Sequence, residues 1–178
     1  MVILTVGHST QPIGDFVELL RAHNVGMLVD VRRYPGSRRH PQFGRDALEQ
    51  ALRAAGIGYE HVEDLGGRRE AAPNSLNTAL HNEQFRGYAD HMTSAAFARG
   101  LERLLLLAER STVAVMCAEA VPWRCHRTLL ADALLARCVA VEHIMSPTER
   151  RPHTLHAAAR LEGDGVIYDR SEQQQLPL

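Results

Sequence analysis

Short apolar runs that alternate with longer segments of helical periodicity constrain the fold of this chain more than any other feature. Such runs predict buried strands, and apolar residues three or four positions apart predict amphipathic helices between them. The predicted strands span 2–6, 27–31, 57–62, 113–117 and 139–144. The predicted helices span 12–23, 45–55, 83–92, 94–110 and 124–137.

This order of elements predicts an α/β fold with three layers. Continuously apolar strands that alternate with helices indicate crossover connections, which bury a mostly parallel sheet between helices on both faces. We therefore expect a five-stranded sheet of the Rossmann-like or flavodoxin-like kind in one domain over 1–170. A short helix between 146 and 169, a small extra strand at 165–168 and a frayed tail at 171–178 complete the prediction.

The composition excludes several classes of function. The chain of 178 residues contains no lysine, so all 20 of its basic residues are arginine. That absence excludes a Schiff-base enzyme, a pyridoxal-phosphate lysine and a Walker A nucleotide site. With a net charge of −1, the molecule as a whole has no field that would draw it to nucleic acid or to a membrane. We predict no cofactor and no membrane partner.

The N-terminal segment and the cysteines indicate a reducing compartment. The first ten residues lack the basic start and the long apolar core of a secretory signal, and no apolar run approaches the ~20 residues that span a bilayer. Three cysteines are an odd number, which does not suit a disulfide framework. We therefore predict a cytoplasmic protein with free thiols.

Unusual polar residues lie at the ends of four predicted strands. In chain order they are His8, Ser9, Asp30, Arg32, Cys117, Glu119 and His143. The carboxyl ends of parallel strands meet at one edge of a sheet, which is where such folds bind ligands. Loops are polar in general, so any one cluster has a bland explanation, but four together predict a ligand site at that edge.

The segment MCAEAVPWRCHR, residues 116–127, holds two of the three cysteines. A zinc site would use closely spaced ligand pairs, whereas Cys117 and Cys125 are eight residues apart. Neighbouring residues on a helix also point about 100° apart, so Cys125 and His126 would not face one ion. We therefore predict no metal. A disulfide between the two cysteines is sterically open, but a reducing compartment disfavours it.

A reactive thiol and two buried packing residues remain as alternatives for this segment. Cys125 is predicted in the first turn of its helix, where the helix dipole favours a thiolate and attracts an anion. Its neighbours would add to this effect, namely Arg124, His126 and Arg127.

Cys117, at the strand tip, is the alternative nucleophile, with Glu119 and His8 as proton partners. Cys138 is predicted to pack as a small apolar group.

The segment DVRRYPGSRRHPQFGR, residues 30–45, is a second candidate because it holds five arginines within fourteen residues. Pro35, Gly36 and Pro41 interrupt it, so a loop is predicted. Guanidinium groups suit phosphate or carboxylate, and Tyr34 and Phe43 offer faces on which a base can stack. A solvated arginine loop is the alternative, since this chain uses arginine for every positive charge.

These motifs together resemble the domain of unknown function 488 family. The matching motifs, in order, are GHS at 7–9, DVR at 30–32 followed by Pro35 and Ser37, LGG at 65–67, FRGYAD at 85–90, MCAE at 116–119, PWRCHR at 122–127 and HI at 143–144. The resemblance implies a small stand-alone bacterial or archaeal protein whose marked residues are those in the motifs. It implies no particular activity.

From these residues we predict a cysteine-dependent hydrolase or transferase for an anionic small molecule that is phosphate-bearing or nucleotide-like. The candidate catalytic residues are Cys117, Cys125, His8, Glu119 and His126. The candidate ligand-binding residues are Ser9, Asp30, Arg32, Ser37, Gly66, Gly67, Tyr88, Arg124 and Arg127. Two alternatives stay open: a non-catalytic module that binds a nucleotide or nucleic acid, and a thiol redox switch formed by Cys117 and Cys125.

Overall fold

The computed structural model describes residues 1–36 and 39–169. Within this part of the chain the strands are β1 (Val2–Gly7), β2 (Met27–Asp30), β3 (Gly58–His61), β4 (Val113–Cys117), β5 (Ala140–Ser146), β6 (Glu149–Pro152), β7 (Ala159–Glu162) and β8 (Gly165–Tyr168). The helices are α1 (Ile13–Ala22), α2 (Arg45–Ala54), α3 (Glu83–His91), α4 (Ala95–Ala108) and α5 (Arg127–Leu135). Over the same residues no helix has the length and apolarity needed to cross a membrane.

Six strands form one sheet in the spatial order β3-β2-β4-β1-β5-β6. The first five run parallel to their neighbours, and β6 pairs antiparallel with β5 at the edge. The predicted mostly parallel sheet is confirmed, with one further antiparallel strand at its edge. The chain reaches β2 and β3 on one side of β1 and later β5 on the other, so the central strands β2, β4 and β1 end side by side.

The helices cover both faces of this sheet, which confirms the three-layer prediction. Residues of β1 alternate between two apolar clusters, as expected for a strand buried on both sides. Leu4 and Val6 pack with α1 and α2 in one cluster, and Ile3 packs with α3, α4 and α5 in the other. Amphipathic periodicity therefore predicted α1, α2 and α4 by the face that each of them buries.

The segment after β5 differs from the prediction. No helix forms between 146 and 169, where every residue is described. The chain instead forms β6 and then a hairpin of β7 and β8, whose turn uses Gly163 at a φ of +59°. The predicted strand at 165–168 exists as β8, but it pairs with β7 in a separate two-stranded sheet. The predicted tail at 171–178 lies outside the described residues.

Two predictions about cysteine environments are wrong. A 3₁₀ helix at Pro122–Arg124 precedes α5, and Cys125 follows it in an extended conformation, with φ of −132° and ψ of 149°. Cys125 therefore lies two residues before the helix rather than in its first turn. Cys138 is exposed rather than packed, because it lies in the turn after α5 with a φ of +58°.

Candidate functional site

The loops that follow β1, β2 and β4 enclose a pocket of about 590 Å³ at the carboxyl edge of the sheet. These strands are adjacent in the sheet, so their ends bring the three loops together. Gly7 at the end of β1 permits this close approach. A Cβ at that position would overlap the Glu119 carbonyl and lie 2.9 Å from Nη2 of Arg127.

Cys117 and Cys125 both line this pocket and contact each other. Cys117 is the last residue of β4, and the 3₁₀ turn at Pro122–Arg124 returns the chain to the sheet edge at Cys125. The Cys117 sulfur lies within hydrogen-bond reach of the Cys125 sulfur, and its thiol is also 3.9 Å from the Glu119 carbonyl oxygen. The two side chains are 2% and 3% exposed, and both thiols are free. The structure thus places a dithiol pair at the wall of the pocket.

Arg127 lies directly behind this thiol pair, with only 1% of its surface exposed. Its Nε donates to Cys117 Sγ at 3.0 Å, its Nη2 donates to the Glu119 carbonyl at 2.6 Å, and its Nη1 donates to Thr5 Oγ1 at 3.3 Å. Among the described residues, no carboxylate forms an ion pair with this guanidinium. A sulfur is therefore the group nearest to this charge that can itself become an anion.

The two thiols have different acidities because the hydrogen bond between them raises the pKa of Cys117 and lowers the pKa of Cys125. Burial by itself raises the pKa of Cys125, but the hydrogen bond from Cys117 and the charge and N–H groups of Arg127 lower it to about 7. At Cys117, burial and the hydrogen bond that this thiol donates raise the pKa well above its ordinary value. The pair therefore loses its first proton near neutral pH and retains the second.

The imidazole of His126 contacts the Cys125 sulfur. Its Nδ1 lies 3.5 Å from Cys125 Sγ, and its ring centroid lies 4.9 Å from that of Tyr88. Gly67 makes room for the ring, since a Cβ there would lie 2.7 Å from Nδ1. Burial lowers the pKa of His126, and the Cys117 sulfur, followed by the Val31 carbonyl, only partly opposes this shift. Its Nε2 is buried without a hydrogen bond to any described residue.

His8 enters the pocket from the end of β1. Its ring stacks on Phe43 with centroids 4.1 Å apart, and its Nδ1 donates to the Ser9 carbonyl at 2.9 Å, which leaves Nε2 as an acceptor 3.4 Å from Arg32 Nη1. Burial, together with the charge of Arg32, lowers the pKa of His8 to about 4. His8 is therefore neutral at physiological pH and a weak base.

Asp30 and Arg32 form a buried ion pair after β2. Arg32 Nη2 lies 2.6 Å from Asp30 Oδ2, Nε bonds both carboxylate oxygens, and Nη1 donates to the Phe43 carbonyl at 2.8 Å. Tyr59 donates a further hydrogen bond to Oδ2 at 2.9 Å. Asp30 thus holds Arg32 at the pocket wall and does not itself face the pocket.

The outer part of the pocket is strongly basic. Five arginines line it, and Glu119 is the one carboxylate among its described lining residues. The arginines are Arg32, Arg33, Arg39, Arg68 and Arg124. Tyr34 and Phe85 add aromatic faces, and Tyr34 is 61% exposed. This combination can bind an anionic group and stack against an attached ring.

The structure brings nine of the predicted site residues to the pocket and places four others behind it. The pocket residues are His8, Ser9, Arg32, Gly67, Cys117, Glu119, Arg124, Cys125 and His126. Ser37 lies outside the described residues.

Four predicted ligand-binding residues lie behind the pocket and do not line it. Arg127 bonds the thiol pair, and Asp30 bonds Arg32, as described above. Tyr88 is fully buried with its hydroxyl donating to the Leu65 carbonyl at 3.0 Å, and Gly66 packs against the backbone of Arg33. The prediction that these side chains contact a ligand is therefore corrected to a supporting role.

His143 also does not join the pocket. His143 lies on β5 and is the register partner of Thr5 on β1. Because β5 continues for three more residues to Ser146, His143 lies before the carboxyl end of its strand rather than at the edge that forms the pocket.

Sequence reasoning missed Thr5, Tyr59 and the pocket role of Arg68. Thr5 accepts a hydrogen bond from the buried guanidinium of Arg127, and Tyr59 donates one to Asp30, the partner of the buried Arg32. A hydroxyl in the middle of the apolar run VILTVG was the available signal for Thr5. Arg68 adopts a positive φ of 57° in the loop after Gly67, and nothing in the local pattern marks its direction.

The fold and this pocket together define a three-layer α/β protein with a dithiol pair at the carboxyl edge of its parallel sheet. The chain belongs to the family described as domain of unknown function DUF488, whose model matches residues 12–134. This match confirms the resemblance of the motifs, and it includes both thiols and Arg127 but begins after His8. No curated protein and no solved structure matched the chain.

Proposed function

We propose that this protein is a cysteine-dependent hydrolase or transferase that acts on an anionic, phosphate-bearing or nucleotide-like ligand in the pocket. One observation carries the proposal: the buried guanidinium of Arg127 contacts a thiol pair and, within residues 1–36 and 39–169, no carboxylate. A buried charge without a counter-charge is costly, and a thiolate at Cys125 supplies that counter-charge. The same sulfur faces a pocket lined by five arginines, which supports an anionic ligand.

In the proposed reaction the Cys125 thiolate attacks an electrophilic carbon or phosphorus atom of the ligand. The sulfur electron pair forms the new bond, and the leaving group departs with the electrons of the old one. The leaving group takes up a proton from a water molecule that Glu119 or His126 positions in the pocket. Water or a second acceptor then displaces the sulfur, returns a proton to the hydroxide left behind and restores the thiolate. His8, neutral above about pH 4, orients groups rather than accepting a proton.

A thermal-shift screen of nucleotides and phosphorylated metabolites tests this proposal. A ligand at 100-fold its Kd stabilises the protein by about 2.7 kcal/mol. We expect wild type and Cys125→Ser to be stabilised by the same compounds, and only wild type to consume them and form a covalent adduct at Cys125. If the thiols of the folded wild-type protein do not react with iodoacetamide at pH 8, the proposal of a cysteine-dependent enzyme is refuted.

Binding without consumption would instead favour a module that holds a nucleotide or the end of a nucleic acid. Affinity that falls steeply with salt would then support a polyphosphate partner.

The contact between the two sulfurs favours a second candidate function, a thiol redox switch. Hydrogen peroxide would convert the Cys125 thiolate to a sulfenic acid with release of hydroxide, and the Cys117 thiol would displace water to form a disulfide. We place the protein in a reducing cytoplasm, where the thiols stay free until an oxidant appears. Mass spectrometry after mild peroxide treatment tests this candidate, and two unbridged thiols would exclude it.

A further inference from the structure

A continuous chain of buried hydrogen bonds runs from the thiol pair to the carboxylate of Asp132. Arg127 Nη1 lies 3.3 Å from Thr5 Oγ1, which lies 2.7 Å from His143 Nδ1. His143 Nε2 lies 3.0 Å from His153 Nδ1, and His153 Nε2 lies 2.8 Å from Asp132 Oδ1. We call these residues the Asp132 chain. The mechanism above uses only its first member, Arg127.

Four elements of the fold converge to build this chain. Thr5 and His143 are register partners on the neighbouring strands β1 and β5. His153 directly follows β6, the antiparallel edge strand, and its backbone N–H bonds the Val141 carbonyl at 2.8 Å. Helix α5 supplies both ends, Arg127 at its first residue and Asp132 five residues later. The hairpin of β5 and β6 therefore links the sheet to the helix that begins at the thiol pair.

The hydrogen-bond donors in this chain all point towards Asp132. The carboxylate accepts only, so His153 donates from Nε2, and with the ring in its neutral form Nδ1 is an acceptor. His143 must then donate from Nε2 and accept at Nδ1 from the Thr5 hydroxyl. Thr5 Oγ1 in turn accepts from the Arg127 guanidinium. One assignment of protons thus satisfies every polar atom along the chain.

The chain is shielded from solvent along its whole length. Thr5 is 2% exposed, His143 7% and Asp132 0%, and the His153 side chain is 5% exposed. Tyr168 Oη also donates to Asp132 at 2.7 Å, so the carboxylate is well solvated by protein groups. Arg127 and Asp132 are therefore two buried charges of opposite sign on one helix. Hydrogen bonds through neutral side chains connect them, and they do not form a direct ion pair.

We propose that the Asp132 chain is a positioning device that holds the Arg127 guanidinium in the orientation that stabilises the Cys125 thiolate. This inference rests on the proposed function, because it explains how the reactive thiol is maintained. The guanidinium has three anchors: a sulfur, the backbone of the loop after β4, and Thr5. Only the Thr5 anchor leads to groups outside the thiol segment, so it sets the guanidinium relative to the sheet.

The ionisation state of His143 supports this role. Burial is the largest cause that lowers the pKa of His143 to about 4, and the charge of Arg127 acts in the same direction. The ring is therefore neutral at physiological pH and can accept from Thr5. A protonated His143 would instead offer a donor at Nδ1 and repel Arg127. The groups that face the thiols themselves are Arg127, His126 and Tyr88.

Replacement of Thr5 tests the proposal, with thiol acidity as the readout. Thr5→Val keeps the shape of the side chain and removes the hydroxyl, whereas Thr5→Ser retains the hydroxyl and serves as the matched control. The rate of alkylation by iodoacetamide is measured against pH, together with thiolate absorbance near 240 nm. We expect Thr5→Val to raise the apparent pKa by about half a unit, which lowers alkylation about threefold at pH 6.5. Thr5→Ser should match wild type.

A double-mutant cycle separates this role from a general loss of packing. His143→Leu should raise the thiol pKa about as much as Thr5→Val, and the double variant should raise it no further, because both changes break the same chain. Additive effects, or an unchanged pKa in variants that melt cooperatively, would overturn the proposal. If His143→Leu does not fold, the comparison of Thr5→Val with Thr5→Ser still decides. A wild-type thiol with an ordinary pKa would refute the proposed function instead.

Discussion

Arg32, which follows β2, and Arg127, the first residue of α5, are two buried arginines that differ in the group that balances their charge. Arg32 is 8% exposed and donates three hydrogen bonds to the Asp30 carboxylate, two from Nε and one from Nη2. Arg127 is 1% exposed and bonds a thiol, a hydroxyl and backbone carbonyls. A carboxylate is ionised throughout the physiological range, whereas a thiol gains or loses its proton within it. The first arrangement is suited to fixed structure and the second to chemistry.

Removal of Asp30 should have the largest effect on stability. Asp30→Ala leaves the Arg32 guanidinium buried without a counter-charge, and we expect the free energy of unfolding to fall by about 3–5 kcal/mol. Urea unfolding measures this loss. Glu49→Ala is the matched control, because it removes an exposed ion pair with Arg53 and should cost no more than about 0.5 kcal/mol. Similar losses in both variants would contradict the structural role of Asp30.

Replacement of Arg127 should instead affect the thiols most. Arg127→Met keeps much of the side-chain volume and removes the charge, so the Cys125 pKa should return to its ordinary value or above. Alkylation at pH 7 should then fall at least about 15-fold. Stability should fall less than in Asp30→Ala, because the thiols can take up a proton and become neutral.

The exposed Arg124 provides the control for that experiment. Arg124→Met removes a charge from the same segment without touching the buried contacts, and alkylation should stay within about twofold of wild type. A slowed reaction in Arg124→Met, or a normal one in Arg127→Met, would contradict the pairing of Arg127 with the thiolate.

The dependence of stability on pH should also distinguish the two regions. The pKa of Cys125 is about 7 in the folded state and about 8.5 in an unfolded chain, so ionisation of this thiol favours folding above pH 7. The free energy of unfolding of wild type relative to Cys125→Ser should rise by up to about 2 kcal/mol between pH 6.5 and 8.5. The gain is lost as the pH falls through 7. A difference that is constant over this range would show that Cys125 is not ionised.

Cys117 limits this gain at higher pH. Its pKa is raised in the folded state, so its contribution to stability is present below about pH 8.5 and is lost as the pH rises further. The wild-type curve should therefore pass through a maximum rather than continue upward.

The sheet and the convergence of the site were predictable because burial leaves a pattern in the sequence. Strands buried on both faces read as apolar runs, and parallel topology then places the residues that follow them at one edge. The strands after β5 were missed for the converse reason. All four residues of β6 are exposed, so no apolar periodicity marks it.

The direction of individual side chains was not predictable from the pattern. Arg124 and Arg127 belong to one motif, PWRCHR, yet one lines the pocket and the other is buried behind the thiols. The 3₁₀ turn at Pro122–Arg124 decides this by separating the loop from the helix. Arg32 meets its carboxylate two residues away, and Arg127 meets its thiol ten residues away. Each guanidinium also makes a contact that is distant in sequence, across 24 residues from Arg32 to His8 and across 122 residues from Arg127 to Thr5.

The smallest predicted effect tests whether the two arginine systems are independent. Tyr59→Phe removes one hydrogen bond from the Asp30 carboxylate and leaves its bonds to Arg32, so we expect a loss of about 1.5 kcal/mol in the free energy of unfolding. Burial and the Asp30 charge raise the pKa of Tyr59, so its hydroxyl is a donor at every pH of interest. Tyr34→Phe, at an exposed ring, should cost nothing measurable.

Alkylation of the thiols should be unchanged in Tyr59→Phe, because none of the hydrogen bonds of Arg127 passes through Asp30. A shift in thiol acidity in this variant would mean that the carboxylate-balanced arginine also tunes the thiols. The contrast between the two guanidinium groups would then fail, because a change at the Asp30–Arg32 ion pair would have altered the acidity of the thiols beside Arg127.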